Sequence, residues 1–391
     1  MRVRRCSACM IEPREQVGFD LALLGHGGTG LRTTVAWIAH APHRDGEVAL
    51  APAEVAALGF VSPNEWREPD ALPVEVQAVL EALVDKELLV IEGSEADARD
   101  RQLRDAHWRD AAAVAHFASR WQGVDTVAIE RQFAQATDGR LLAELLERLG
   151  QAPPMVREHT EPQARQRLPA APASPLAELL ERRVTCRNYD RDRPLDLHAF
   201  STVLFRAYGA RATEEHVPGL QLMKKGVPSA GGLHANEAYL LVRHVDGVAP
   251  GLYHYHPVEH ALEPIRTLVR DAAGTLARTF VAAQPYFVDA HAMVVPTARF
   301  RRTFWKYRNH AKAYRALVLD AGHLSQTLYL AATELGLGAF ITAAINEVDI
   351  ERAFGLDPRE EGPLAVTGFG WRGRERNELE FDPLNVVWRG G

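Results

Sequence analysis

The chain has 391 residues, with 45 basic and 51 acidic side chains, a formal charge of −6, 47% hydrophobic and 25% charged residues. That balance excludes intrinsic disorder, and the length points to two domains. The mild negative charge supplies no positive field, so nucleic acid is not expected as a partner. Three cysteines, Cys6, Cys9 and Cys186, are too few for a disulfide framework. Cys6-Ser7-Ala8-Cys9 has CxxC spacing, but no second Cys or His pair completes a zinc site. The N-terminus is polar within a few residues and no apolar run reaches the ~18 residues of a membrane span, so a soluble, cytoplasmic protein is expected.

In chain order, residues 17–24 and 31–39 are apolar and flank Gly25-His-Gly-Gly-Thr-Gly30. The glycines fit a GxGxxG dinucleotide signature at 25, 27 and 30, but a β-branched run follows where that signature needs a helix. The pattern predicts a hairpin with a glycine-rich loop. Residues 72–91 predict an amphipathic helix, with Val76, Val79, Leu80 and Leu83 at helical spacing, running into a strand at 88–91. Helix followed by strand suits a winged-helix unit, and equally a small α+β domain. Residues 103–149 look mostly helical. Residues 151–174, rich in Pro and Ala without apolar periodicity, predict a linker between domains at 1–150 and 175–391.

The C-terminal part predicts a helix over 175–183, a helix over 197–208 and a loop to Gly226. Residues 234–245 are expected to begin helical and end as a strand, and 251–257 to form a strand and turn. A long helix is expected over 312–335, with Leu317, Asp320, Ala321, Leu324, Leu328 and Ala331 at helical spacing, and a late strand over 366–371. Strands interleaved with long helices give an α+β layered domain.

Several segments could carry chemistry. Arg183, Thr185 and Arg187 fall at i, i+2 and i+4, so an extended backbone turns all three to one side. Two guanidinium forks around a hydroxyl suit a phosphate; arginines at a helix end also pair with solvent or with its carbonyls. Residues 228–237 (PSAGGLHANE) combine small residues that let a flat ligand approach the backbone with an expected helix N-terminus, though a tight turn would explain the glycines as well. Residues 299–308 are dense in cations and aromatics, as a solvated basic face also would be. Residues 335–344 fit a helix cap and strand, or a second backbone stretch facing a ligand. His254, His256 and His260 are read as strand and turn residues, and no metal is expected. Asp320 and His323 are expected to make a helix-surface contact.

The segments ERRVTCRNYD, VPSAGGLHANEAYLLV, GLYHYHPVEHALEPI, WKYRNHAKAYRALVLDAGHLSQTLYLAATELGLGA and FGLDPREEGPLAV occur in collinear order. Together, across roughly residues 175–371, they resemble SagB-type azoline dehydrogenases of the nitroreductase superfamily, flavoproteins that mature ribosomally made peptides. The N-terminal part resembles the domain appended in a peptide-maturation dehydrogenase subgroup. The resemblance implies an α+β, nitroreductase-like FMN domain with a mixed sheet flanked by helices, in a domain-swapped type of homodimer. A small winged-helix-like domain would precede it; such domains often hold a leader peptide by strand addition.

The same resemblance implies that Arg183, Thr185 and Arg187 bind the FMN phosphate and ribityl end, with Thr185 in place of the more usual serine. It implies flavin contacts at Ser229, Ala230 and Gly231 across the dimer interface. Ala343 and Ala344 would lie near the flavin N5 edge, where relatives carry glycine. Arg372 and Arg374 are further phosphate candidates. Lys306-Tyr307 matches the pair that azoline oxidases use for proton abstraction. An ordinary lysine is neutral in only about one molecule in 2,500 at pH 7. Arg301, Arg302 and Arg308, with partial burial, are expected to ease that deficit. The implied reaction is azoline to azole, with hydride to FMN and reoxidation by dioxygen. The implied partners are a precursor peptide and a cyclase or cyclodehydratase. An NAD(P)H-dependent flavin reductase of a peptide alkene or other small acceptor, and a non-catalytic peptide-presenting scaffold, are the competing expectations.

Overall fold

The computed structural model describes residues 1–25, 28–127 and 146–388. Their packing defines two compact units. The first comprises Met1–Arg120, Arg299–Leu317 and Asp357–Gly362; the second comprises Trp121–Ala298, Val318–Leu356 and Pro363–Gly391.

In the first unit, β1 (Val3–Arg5) is followed by β2 (Met10–Phe19), β3 (Leu31–His40), β4 (Val48–Leu50) and β5 (Leu89–Ile91). β2 and β3 form the expected antiparallel hairpin, in register from Met10↔His40 to Phe19↔Leu31. The strand stops at Phe19 rather than running to residue 24. Asp20 accepts the Ala22 N–H at 2.9 Å and starts a short helix, Leu21–Gly25, within the loop. Gly30, at φ 72°, returns the chain into β3 where a Cβ would press on the Phe19 ring at 3.0 Å. Gly27 of the glycine pattern lies outside the described residues.

The single helix expected ahead of the strand at 88–91 is instead two short ones, Val74–Gln77 and Leu80–Asp85, broken at Val79 with φ −123° and ψ 12°, while the strand forms as β5. Valines at 74, 76 and 79 stiffen this stretch against continuous helix. Val76 and Leu83 are nonetheless fully buried with Val3, Cys6, Leu88 and Leu89. Helices Glu95–Asp105 and Asp110–Ala118 account for part of the helical stretch expected to residue 149; its residues 128–145 lie outside the described residues. An aromatic cluster completes the unit, with Trp108 centred 4.5 Å from Phe300 and 4.7 Å from Phe304.

The second unit opens with helices Pro175–Arg182 and Leu197–Tyr208, both capped by a side chain: Ser174 accepts the Ala177 N–H and Asp196 the Ala199 N–H. Where a loop to Gly226 is expected there is a hairpin, β6 (Ala210–Val217) and β7 (Leu220–Lys225). Pro218-Gly219 makes its turn, with Gly219 at φ 84°. The strands β8 (Asn236–Val242), β9 (Gly251–His256), β10 (Ala261–Thr267), β11 (Ala292–Arg299), β12 (Leu337–Thr342), β13 (Glu361–Pro363) and β14 (Val366–Trp371) follow. The main path of their sheet runs β10-β9-β8-β11-β14-β12, and its five pairings are antiparallel.

Side-chain alternation makes this sheet two-faced. Leu240, Val242 and Val294 pack with Val203, Leu204, Leu324 and Leu328, from helices Leu197–Tyr208 and Ala313–Glu334. Leu241, Met293 and Val295 point the other way, to Phe280 and Ile350 on helices Arg270–Phe280 and Glu347–Phe354. The result is the expected α+β layering, with a sheet between helices. Residues 234–245 contain no helix: a 3-10 turn, Ala230–Gly232, leads straight into β8. Helix Ala313–Glu334 and strand β14 stand where the sequence places them. Among the described residues no helix is long and apolar enough to cross a membrane.

Candidate functional site

The segment leaving helix Pro175–Arg182 is extended, and its burial alternates. Val184, Cys186 and Asn188 are buried, while Arg183, Thr185 and Arg187 are half-buried on the other side. The spacing reading holds because this segment lies beside β12: Thr185 bridges Ala339 in parallel and the Cys186 N–H donates to the Ala339 carbonyl at 2.8 Å. Gly338 makes that approach feasible, since a Cβ there would fall 2.4 Å from Cys186 Sγ. The Arg183 guanidinium lies 5.4 Å from the Tyr329 ring, and Thr185 Oγ1 is 3.0 Å from the Tyr329 hydroxyl. Arg187 lies 5.4 Å from the Tyr286 ring. Aromatic faces thus steady both guanidinium groups; Arg187 Nη1 also donates to the Leu379 carbonyl at 2.8 Å, so only its remaining N–H groups are left for an anion.

Arg187 also borders a cavity of about 730 Å³, together with Arg191, Arg193, Tyr286 and Arg374. Asp190, Asp192 and Asp289 share that lining, so the cavity is of mixed charge rather than uniformly basic. Arg372 does not join it. Its Nη1 donates to Glu380 at 2.6 Å and its Nη2 to the Val184 carbonyl at 2.8 Å. Glu380 is fully buried and also accepts the Arg187 N–H at 2.6 Å, the Asn188 N–H at 3.0 Å and Trp388 Nε1 at 2.8 Å. Burial pushes the Glu380 pKa up, but the Arg372 charge and these donors overcome it and hold it below the usual carboxylate range. The guanidinium of Arg372 is therefore committed to fixing the arginine segment, which corrects its reading as a phosphate candidate.

The Pro228–Gly232 bend differs from expectation in what anchors it. No helix N-terminus follows. Asp320 accepts the Ser229 hydroxyl at 2.6 Å and the Ala230 N–H at 3.2 Å, and Ser229 Oγ in turn accepts the His234 N–H at 2.9 Å. Asp320 is 6% exposed, so its expected role as a surface contact to His323 is corrected: His323 Nδ1 lies 3.9 Å away, at the rim. Gly231 and Gly232 take φ of 61° and 70°, which lets the bend double back. Lys225, buried at the end of β7, borders the same small pocket as Ser229, His234 and Asp320; burial pushes its pKa down against the pull of Glu237. Beyond β12, Ala343 is exposed, whereas the Ala344 N–H donates to Thr342 Oγ1 at 3.2 Å and its carbonyl accepts Gln284 Nε2 at 2.9 Å.

Lys306 and Tyr307 belong to the first compact unit. They follow the Phe300–Phe304 helix, whose Phe300 and Phe304 are buried, and both N–H groups donate to the Thr303 carbonyl, at 3.2 and 3.1 Å. Lys306 Nζ lies 5.6 Å from the Tyr307 ring centre. Lys306 is exposed, as are Arg301 and Arg308, so the expected partial burial is absent from this chain. The histidines are paired rather than clustered. His254 meets Glu263 at 2.6 Å and Glu237 at 3.3 Å, and His260 meets Tyr255 at 2.6 Å and Ser201 at 2.8 Å. Among the described residues no three metal-ligating side chains converge.

The arrangement offers an anion seat of two arginines and a hydroxyl on one strand side, with Arg374 across the neighbouring cavity. That donor set fits a phosphate monoester such as the one FMN carries. Asp320 has a sequence signal that went unused: a carboxylate at a core position of a helix must find donors. Tyr329 and Tyr286 carry no local signal, because the arginines they face lie far away in sequence, and Glu380 reaches the Arg187 and Asn188 amides across 193 and 192 residues.

The nitroreductase family model matches residues 180–371. MJ1384 of Methanocaldococcus jannaschii, which carries a nitroreductase name, is 32% identical over 195 residues, covering 50% of this chain and 90% of that one. The microcin B17-processing protein McbC of Escherichia coli is 27% identical over 157 residues, covering 38% of this chain and 54% of McbC. A chain of the E. coli microcin synthetase McbBCD complex with truncated pro-MccB17 bound aligns with a TM-score of 0.48 and 22% identity, over 69% of this chain and 97% of that one.

Proposed function

Because this chain belongs to the nitroreductase family, we propose that it is an FMN-dependent dehydrogenase that removes two hydrogens from a modified, ribosomally made peptide, converting an azoline ring to an azole. When bound, FMN supplies a two-electron acceptor that dioxygen can regenerate. The observation that carries the reading is the alternation that turns Arg183, Thr185 and Arg187 to one side. In this reading their side chains hold the phosphate and ribityl end, with Arg374 as a further cation. The Ser229–Gly231 bend, held by Asp320, lines the flavin across a homodimer interface. Exposed Ala343 presents its backbone near the reacting edge, and Ala344, whose N–H and carbonyl are taken by Thr342 and Gln284, holds that stretch in place.

Aromatising an azoline also requires a proton acceptor. Lys306 Nζ or the Tyr307 hydroxyl takes it from the ring carbon, in keeping with the side-by-side placement of the pair. The peptide substrate is suggested by the name of McbC, a peptide-processing protein. A cyclase or cyclodehydratase would then supply the azoline. The N-terminal region is proposed to hold the peptide's leader, in a protein of the cytoplasm.

The nitroreductase name of MJ1384 favours a second reading, in which NAD(P)H reduces the flavin and a peptide alkene is the acceptor. Two measurements decide. The purified full-length protein titrated with FMN should acquire the absorption of a bound flavin; a protein that stays colourless at saturating FMN overturns both readings. Mass spectrometry of the precursor peptide treated with the loaded enzyme should then show a loss of about 2 Da (two hydrogens) per ring. A gain of the same size, dependent on NAD(P)H, sinks the dehydrogenase in favour of the reductase.

A further inference from the structure

The first compact unit holds a cavity of about 330 Å³ that the flavin reading leaves unused. Its wall includes Asn64, Leu103, Arg104, Trp108, Asp110 and Asn309. His107 and Asn309 both take left-handed backbone, at φ 60° and 51°, and the Asn309 N–H donates to the His107 carbonyl at 3.0 Å. That bond brings Asn309 beside the turn from which helix Asp110–Ala118 starts. Arg104 ties down another part of the wall: its Nη1 donates to the Pro63 carbonyl at 2.7 Å and its Nη2 to Asn64 Oδ1 at 3.0 Å.

Two groups on this wall keep unused bonding capacity. Trp108 is 4% exposed, and its buried Nε1–H meets no acceptor among the described residues. A buried indole N–H ordinarily has one. Phe300 and Phe304, packed on the ring, have no lone pair to offer, and His116 Nδ1 and the Tyr314 hydroxyl are engaged with each other at 3.0 Å. The remaining polar neighbours are those of the cavity wall. There Asp110 is exposed, and among the described residues its carboxylate has neither an ion pair nor a hydrogen bond. The cavity thus offers a donor in its buried part and an acceptor at its exposed part.

That pairing discriminates between occupants. A cation would satisfy Asp110 but leave the indole N–H unanswered and crowd Arg104. A carboxylate would answer the indole but face Asp110. A primary carboxamide has an oxygen that accepts and an NH₂ that donates twice. We propose that this cavity binds the primary carboxamide of a glutamine or asparagine side chain on an incoming peptide. The carboxamide oxygen accepts the Trp108 Nε1–H, its NH₂ donates to Asp110 and to Asn309 Oδ1, and buried Leu103 covers the methylenes. The inference rests on the leader-holding role proposed for the N-terminal region and is independent of the flavin.

The test follows the indole N–H signals of the isotope-labelled full-length protein by NMR; the Trp108 signal is the one missing from Trp108→Phe. N-acetyl-glutamine methylamide should move that signal saturably, whereas the glutamate, lysine and norvaline counterparts should leave it nearly in place. Asp110→Ala, an exposed position, should weaken binding of the glutamine compound by about 10-fold. An unmoved Trp108 signal overturns the proposal, as does an equal response to the norvaline compound or tighter binding of the glutamate or lysine one. Free glutamine binding more tightly than the blocked compound overturns the peptide as its source. Precursor peptide that binds while the Trp108 signal stays still overturns the pocket and leaves the leader reading standing. Should Trp108→Phe fail to fold, Asp110→Ala decides alone, since the indole signal that responds in the wild type must lose its response there.

Discussion

Asp320, on the long helix, takes the Ser229 hydroxyl at 2.6 Å and thereby fixes the bend that leads into β8. One carboxylate, rather than a helix N-terminus, sets the shape of the proposed flavin-facing turn. Asp320→Ala leaves the Ser229 hydroxyl and the Ala230 N–H without their acceptor, at a cost of about 1–3 kcal/mol. Weaker FMN binding and a lower Tm are expected together, measured by flavin titration and thermal unfolding. Asp320→Asn, which keeps an acceptor oxygen, should recover part of both.

The anion seat makes a separate claim about Arg183 and Arg187. A charge-assisted hydrogen bond contributes about 1.5–3 kcal/mol, so either arginine changed to alanine should weaken FMN binding by about 10- to 150-fold. Thr185→Ser should bind nearly as wild type. Unchanged FMN affinity in the double Arg183→Ala, Arg187→Ala protein would remove these residues from the site.

Glu380 links the seat to pH. Its folded-state pKa is depressed, so the stability it contributes is fully present above the unfolded value of about 4.3 and is lost as pH falls through its lower folded value. Wild-type protein should lose stability below about pH 4.3, and Glu380→Gln should be less stable at neutral pH with a flatter acid limb. Removing one partner of the buried pair, as in Glu380→Ala, should cost about 3–5 kcal/mol in denaturant unfolding.

Gly338 tests the backbone approach beneath the arginines. Its added Cβ would meet Cys186 Sγ at 2.4 Å, and Cys186 is fully buried with no room to yield. Gly338→Ala should destabilise the protein by about 1–3 kcal/mol by overpacking. Loss of FMN affinity should accompany it, because the 183–187 segment is displaced from β12. Pairing the change with Cys186→Ala should restore part of the stability.

Lys306→Ala separates proton transfer from flavin binding. The variant should take up FMN as wild type does and lose peptide turnover by roughly 10²- to 10⁴-fold. Full turnover, or loss of the flavin itself, would contradict the assignment.

Much of the layered domain was legible because its signals are local and periodic. Leu317, Leu324 and Leu328 recur at helical spacing, and β14 ends where the apolar run ends. The side shared by Arg183, Thr185 and Arg187 was legible for the same reason, since a period of two needs only an extended backbone. What escaped depended on distant partners or on turn chemistry. Pro218-Gly219 marks a turn that was read as part of a loop, and Val79 breaks a helix whose apolar spacing alone gives no warning. The role of Asp320 lay hidden because its donors sit 90 and 91 residues away. Arg372 takes its phosphate reading from the family resemblance alone, which says nothing of Glu380, the carboxylate that claims its guanidinium.

The Arg187 N–H reaches Glu380 across 193 residues of chain. On a ribosome, the helix and hairpins that follow Arg187 can take shape while its own amide still faces water. The sheet can close before Glu380 has left the exit tunnel. Until Glu380 arrives, the Arg187 and Asn188 amides lack their shared acceptor, so the arginine segment is the last part of this layer to be locked.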